Sequence, residues 1–425
     1  VVAGLVGVGQ LTAQAKPTLS LAEAIERSTR VQPRIIQAMS GVRSADARVR
    51  SAKGAYLPNL NVTSSAGEFY SEGQRIDPST GQLVPTNSSN TSINGSLSSN
   101  IELFDGFRRG AESRAAKANR ESAVESLEDA RFQQELATTN QFFDVLAALQ
   151  LVRVREASVR RADEQLKVSI ARLRAGAAIR SDSLRSLVTL GNAQVQLLNA
   201  QTQLTTGEAN LGRLVGATGP VSAADDSSFY LPAADLDTAA LRIEALNRSP
   251  QVRSAEAASR AAAAAIGVAR AGYWPTLTLG GSSSVNGSEQ NDYRFLQQRQ
   301  ATLSVSWNVF NRFTREQNIS NQRAAAETAD ATAAEARRLV VANLTTRMAE
   351  LEAAQVRIRI TQTSLAAATE DLRVQQERYR LGVATIVDVL TSQEALTQSE
   401  VDAVTARFDY LRAKAQIQAL IGRKL

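Results

Sequence analysis

The sequence has no cysteine and no histidine. The first absence removes disulfides, thiolate chemistry and a lipid-modified N-terminal cysteine. The second removes the commonest general base and metal ligand, and with it zinc sites, Ser-His-Asp triads and Cys-His pairs. An enzyme would have to work with carboxylates, Lys, Arg, Ser or Tyr alone, and the chain carries no phosphate-binding glycine loop or nucleophile motif to support one. Close carboxylates such as Glu350 and Glu352 sit in charge-mixed helical surroundings that solvate them. Charge of one sign is also scarce. A formal +6 over 425 residues reads as solvated Arg-rich helix faces, whereas a nucleic-acid footprint is denser and more clustered. After the first few residues no run of 18 apolar residues occurs, so no transmembrane helix is expected. No cofactor is implied.

What is present is a duplication, and repeats govern the reading of everything else. Leu-Phe-Asp-Gly-Phe at Leu103–Phe107 is followed by about 65 residues of helical pattern, by Arg172–Asp182, and by more helix ending at Leu214–Gly216. The same landmarks return 206 positions on. Phe104 maps to Phe310, Phe107 to Phe313, Arg172 to Arg378, Gly176 to Gly382 and Asp182 to Asp388. Upstream, Pro33 with Tyr56-Leu57-Pro58 matches Pro250 with Tyr273-Trp274-Pro275 at a shift of 217. The halves are therefore 16–216 and 238–425, joined by a linker, 217–237, that contains Gly219-Pro220 and Leu231-Pro232. The linker reads as an excursion around the middle of a rod. Segment 1–15 is apolar and ends in Ala13-Gln14-Ala15; it fits the remnant of a secretory signal peptide or a disordered apolar tail. An exported chain without a helical anchor is periplasmic, secreted or an outer-membrane barrel.

Each half has two stretches of period-two alternation, expected as strands at 58–66 and 91–103 and at 275–283 and 300–309. Ile93, Leu97, Ile101 and Leu103 alternate with Ser, Asn and Glu; Leu303, Val305, Trp307 and Val309 alternate with Thr, Ser and Asn. This is the pattern of a half-buried strand. The length suits a tilted strand across a bilayer, apolar outward and polar toward a wet lumen. A soluble hairpin packed on helices is the other reading. Between the strands, Gly67–Asn90 and Gly280–Tyr293 are rich in turn-forming residues and read as loops. The aromatics Phe104, Phe107, Trp307, Phe310 and Phe313, at the strand ends, suit a membrane–water interface.

The rest is helix, expected at 105–174, 183–215, 311–380 and 389–421. Val145, Val152, Val159, Leu166 and Leu173 fall seven apart, as do Leu351, Ile358, Leu365, Leu372 and Tyr379, and Leu190, Leu197, Leu204 and Leu211. Such heptads argue for coiled-coil packing. Glycines Gly176 and Gly382 supply the left-handed residue that ends a helix and turns the chain back.

In this arrangement the chain resembles the TolC family of outer-membrane efflux and type I secretion channels, over nearly its whole length. The resemblance is carried by Tyr56-Leu57-Pro58 and Tyr273-Trp274-Pro275, by Leu103–Phe107 and Val309–Phe313, and most specifically by Arg378–Leu390. It implies an α+β membrane protein: a homotrimer pooling four strands per chain into a twelve-stranded β-barrel, above a tunnel of long antiparallel coiled-coil helices. It also implies outer-membrane lipid around the barrel, and docking on a periplasmic adaptor and an inner-membrane pump or ABC exporter. Residues at the helix tips then acquire roles. Asp388 would form a threefold ring that selects or binds cations, or else would cap its helix. Asp182 lies at the matching position, and Tyr379 facing Asp182 would latch the closed entrance. Thr391 and Ala384 stand where the family often has a second acid and a basic residue, which implies a less acidic entrance and a weaker latch. Arg172, Leu173, Gly176, Arg378, Tyr379 and Gly382 match the tip motif that meets adaptor hairpins; Leu173 and Tyr379 also serve as last-heptad core residues. A soluble coiled-coil scaffold would share the heptads but not the mirrored strands, and a periplasmic adaptor usually carries one helical hairpin, not two.

Overall fold

The computed structural model describes residues 16–230, 238–289 and 292–423. The expected signal remnant, 1–15, and the Leu231-Pro232 part of the linker lie outside them. The chain runs β1 (Thr18–Leu19), α1 (Leu21–Val31), α2 (Pro33–Gly54), β2 (Asn59–Ile76), β3 (Leu83–Phe104), α3 (Arg108–Arg174) and α4 (Arg180–Val215). After β4 (Ser222–Ala223) come α5 (Thr238–Arg248), α6 (Pro250–Arg270), β5 (Thr276–Ser288), β6 (Leu296–Ser306), α7 (Thr314–Arg380) and α8 (Ile386–Ile421). Helices α3 and α7 have 67 residues each, and α4 and α8 have 36 each. The chain divides into two compact units whose boundaries fall inside α2, α3, α6 and α7.

The first unit takes the chain up to Ser40, then Glu125–Ser254 and everything from Ala334. Its main core gathers Phe142, Phe143, Val145 and Leu146 of α3, Leu211 of α4, Val340 and Leu344 of α7, and Phe408 and Ile417 of α8. The seam residues Val145, Val152, Leu211, Leu351, Leu372 and Tyr379 are buried and the others half-buried. The start of the linker packs here. β4 pairs in parallel with β1, Val221 and Ala223 are buried, and the Phe229 ring meets Phe143 edge-on at 5.4 Å. Lys16 reaches the nearly buried Glu208 carboxylate at 2.5 Å, so the described N-terminal end is pinned to α4.

The second unit, Gly41–Val124 with Ala255–Ala333, holds one antiparallel sheet in the order β2-β3-β5-β6. Its register sorts the side chains, because paired residues share a face. One face is built of the rows Thr63–Ser96–Ser284–Gln298, Asn61–Ser98–Ser282–Gln300 and Asn59–Asn100–Gly280–Thr302. The other carries Ile101–Leu279–Leu303, Val62–Leu97–Ser283–Arg299 and Phe104–Leu277–Val305. Both faces and the outer edges of β2 and β6 are open in the single chain, with Val62 76% and Val305 71% exposed.

Two sequence expectations need correction here. Gly67–Asn90 is not a loop: β2 continues to Ile76 and β3 begins at Leu83. In the second half β5 runs on to Ser288. Serine, threonine and asparagine leave no apolar alternation to read, yet a ladder is made of backbone groups and needs none. The true turn is short. Asp77 N–H donates to the Gln82 carbonyl, and the Asp77 carboxylate accepts the Ser79 N–H at 2.8 Å.

At the strand-to-helix junction Gly106 is left-handed (φ 66°), and a Cβ there would lie 2.6 Å from Cβ of Trp274. Gly106→Ala should therefore destabilise the protein by more than about 1 kcal/mol. Gly41→Ala, in a helix with nothing within 4 Å, should be neutral or stabilising by about 0.5–1 kcal/mol. Thermal unfolding followed by circular dichroism separates the two; equal melting shifts would contradict the junction geometry.

Candidate functional site

Two sets of residues drawn from the sequence are assembled by the fold, one in each unit. In the sheet unit, each long helix is entered through the same junction. Asp105 is buried and accepts hydrogen bonds from Arg109 N–H at 2.8 Å and Nε at 3.0 Å. In the second half Asn311 accepts the Arg315 N–H at 3.4 Å. The two arginines then stack on the tyrosines of the Tyr-x-Pro strings, Arg109 on Tyr56 at 4.8 Å and Arg315 on Tyr273 at 4.0 Å. This gives Tyr56 and Tyr273 a physical role as platforms for cations. Phe107, Arg312 and Phe313 adopt positive φ, a costly conformation for such side chains. It turns Phe107 edge-on to Phe104 at 5.4 Å and Phe313 edge-on to Phe310 at 5.6 Å. Phe107, Trp307, Phe310 and Phe313 are exposed, Phe104 is half-buried, and the Trp307 indole donates to the Tyr273 carbonyl.

In the helical unit, both tips close alike. Gly176 (φ 73°) and Gly382 (φ 80°) donate to the carbonyls of Leu173 and Tyr379, and the next residues, Ala177 and Val383, donate to Arg172 and Arg378. The helices that follow differ. α8 opens with a capping box: the Asp388 carboxylate accepts the Thr385 N–H and hydroxyl, both at 2.8 Å, while Asp388 N–H donates to the Thr385 hydroxyl. The Thr385 amide, then its hydroxyl and more weakly Arg378, hold the Asp388 carboxyl below the usual carboxylate range. At the matching position of α4 stands Ile179, which offers no side-chain cap, so Asp182 is half-buried without that clasp. The motif Thr385-x-x-Asp388 was visible in the sequence as a capping signature. The role of Thr385 was missed because attention fell on the acid alone.

Tyr379 is buried, and its ring lies 4.4 Å beneath the Arg172 guanidinium. That same guanidinium donates to the Tyr379 carbonyl and, at 3.4 Å, to the Ala177 carbonyl. One arginine thus ties the first tip to the second. The Tyr379 hydroxyl is buried without a hydrogen-bond partner, so the expected Tyr379–Asp182 hydrogen bond is not made within the chain: Arg172 occupies the tyrosine instead. Leu173 is half-buried and Arg378 exposed. Thr391 lines a cleft of about 670 Å³ between α3, α4 and α8, with Leu184, Val188 and Glu394.

Comparison with known proteins follows the same outline. The family model described as "Outer membrane efflux protein" matches residues 24–217 and 241–423, one stretch in each half. The pyoverdine export outer membrane protein OpmQ of Pseudomonas putida is 28% identical over 418 residues, 91% of this chain and 82% of that protein. The outer membrane efflux protein BepC of Brucella suis is 25% identical, over 96% and 88%. The crystal structure of the outer membrane protein VceC of Vibrio cholerae superposes with a TM-score of 0.77 at 17% identity, covering 95% of this chain and 96% of that one. At that identity the likeness is one of fold.

Arg172→Ala removes a cation–π contact and two hydrogen bonds to carbonyls, about 1–3 kcal/mol at a partly buried site. Amide hydrogen exchange over residues 376–383 should accelerate about tenfold. Arg380→Ala, which loses only an exposed pair with Glu377 at 3.5 Å, should change it less than twofold. An unchanged exchange rate in Arg172→Ala would show that the staple holds nothing.

Proposed function

The chain belongs to the outer membrane efflux protein family, and from that premise we propose that three copies build one channel-tunnel, the exit duct of a tripartite efflux pump or type I secretion system. The single observation that carries the reading is the sheet: four strands, amphipathic by register, with both edges unpaired in one chain. Among the described residues no helix is long and apolar enough to cross a membrane, which leaves the strands as the membrane segment. Open sheet edges are not tolerated in lipid, and four strands cannot close on themselves. Eight strands leave an interior filled by side chains; twelve, from three copies, leave a passage. The edge of β2 in one copy then pairs with β6 in the next, and the exposed junction aromatics meet the membrane–water interface.

The helical unit supports association as well. Leu184, Val188, Val195 and Leu198 of α4 follow a 4-7-3 spacing on one side and are 51–63% exposed in the single chain. A neighbouring copy would cover this seam as a coiled-coil partner does. At the tips, Asp388 forms the threefold entrance ring, Asp182 adds a second acid, and Thr391 lines the cleft beside them. The Arg172–Tyr379 staple acts as the closing latch in place of Tyr379–Asp182, and Leu173, Gly176, Arg378 and Gly382 complete the surface that meets a periplasmic adaptor. Opening is a shift between two packed arrangements of the helix ends. An inner-membrane pump or ABC exporter supplies cargo and energy.

Single-channel conductance in a planar bilayer tests this. The wild type should conduct, prefer cations and be blocked by added divalent cations, and Asp388→Ala should lose most of that block. The sign of the pH effect follows from the lowered pKa: block needs the carboxylate charged, so it persists as pH falls through the ordinary carboxylate range and fails only below it. Thr385→Ala should move the failure to higher pH. Conduction with unchanged block in Asp388→Ala would remove the ring, and absence of conduction would remove the channel.

A further inference from the structure

The register of the sheet settles more than which face is apolar. Across the region where all four strands pair, the polar face presents hydroxyls, carboxamides and glycines, as in the row Asn61–Ser98–Ser282–Gln300. The one acid on that face, Glu102, opposite Thr278, is held by a bidentate ion pair with Arg108 at 2.8 and 3.0 Å. Arg299 pairs with Ser283 and so belongs to the other face. Arg75 has the polar-face parity but lies beyond Ser92↔Ser288, the last β3–β5 pair, where β3 has only β2 beside it. The charges of this segment are therefore neutralised, turned outward or set past the four-stranded zone.

We propose that the barrel wall is a charge-neutral conduit, lined by hydroxyl and amide groups that hydrogen-bond water and cargo of either sign without discriminating between them. The inference rests on the barrel reading above and goes beyond it, since it assigns what the wall does to a solute. Pores that select by charge use rings of ionised side chains. A wall of Ser, Thr, Asn and Gln supplies donors and acceptors with no net charge, so it neither concentrates counter-ions nor traps a charged solute. Discrimination by charge is left to groups outside the sheet, Asp182 and Asp388 among them. The cargo class that suits such a wall is broad: anionic, cationic or zwitterionic solutes that carry enough polar groups to exchange hydrogen bonds with it.

The native chain has no cysteine, so single thiols can report the local potential. Ser96→Cys and Ser282→Cys place a thiol on the polar face, and Ser283→Cys one on the opposite face. Each is reacted, in the membrane-embedded protein, with a cationic and an anionic methanethiosulfonate. The ratio of the two rates at Ser96→Cys and Ser282→Cys should match that of a small free thiol to within about twofold. Adding a ring of charge next to the reporter, Gln300→Glu in the Ser282→Cys protein, should bias the ratio severalfold toward the cationic reagent. A tenfold bias at either site without added charge overturns the neutral wall while leaving the channel intact. Labelling of Ser283→Cys as fast as Ser282→Cys, or no reaction at either polar-face site, overturns the barrel itself and the neutral wall with it.

Discussion

An unpaired strand edge cannot face hydrocarbon. Each orphaned N–H or C=O there costs several kcal/mol, and this chain ends its sheet with two such edges, along β2 and along β6. Everything about the sheet unit answers to that constraint. The apolar residues share one face and the hydroxyl-bearing residues the other, so each face matches only one surrounding. The edges are long and regular, with none of the bulges or prolines that blunt an exposed edge along β6, and none along β2 until its far end. Such edges are built to be covered by copies of the same sheet.

The helical unit shows a duplicated frame carrying unequal ends. Both tips use a left-handed glycine and the same pair of carbonyl-directed hydrogen bonds. Beyond them the halves part: Thr385 clasps Asp388, while Ile179 leaves Asp182 unclasped. Arg172 acts across the halves and its counterpart Arg378 does not replicate the contact, lying exposed beside Asp388 instead. Duplication thus supplies two similar hinges, and substitution turns one into a capped, acid-bearing tip and the other into the arm that grips it.

Much of this was legible in the residues. The offsets of 206 and 217 and the heptads from Val145 and Leu351 mark helices, because burial against one neighbour imposes a period that composition cannot hide. The two faces of the sheet were legible at Ile93–Leu103 and Leu303–Val309 for the same reason. The outer halves of β2 and β3 were not, since a strand wetted on both sides leaves no apolar signature and its serines read as a loop. The partner of Tyr379 was equally hidden. Arg172 is 207 residues away in the chain, and no local pattern says that a guanidinium will cover that ring before Asp182 can reach it.

The central claim is that the edge of β2 is closed by β6 of another copy. Cysteine pairs stepped along those edges on the polar face, Asn61 or Thr63 against Ser304 or Thr302, test it in a chain that has no cysteine of its own. After mild oxidation in the membrane the account predicts a disulfide-linked trimer for at least one pair, resolved to single chains by reduction. Single chains alone at every pair tested along both edges would contradict it.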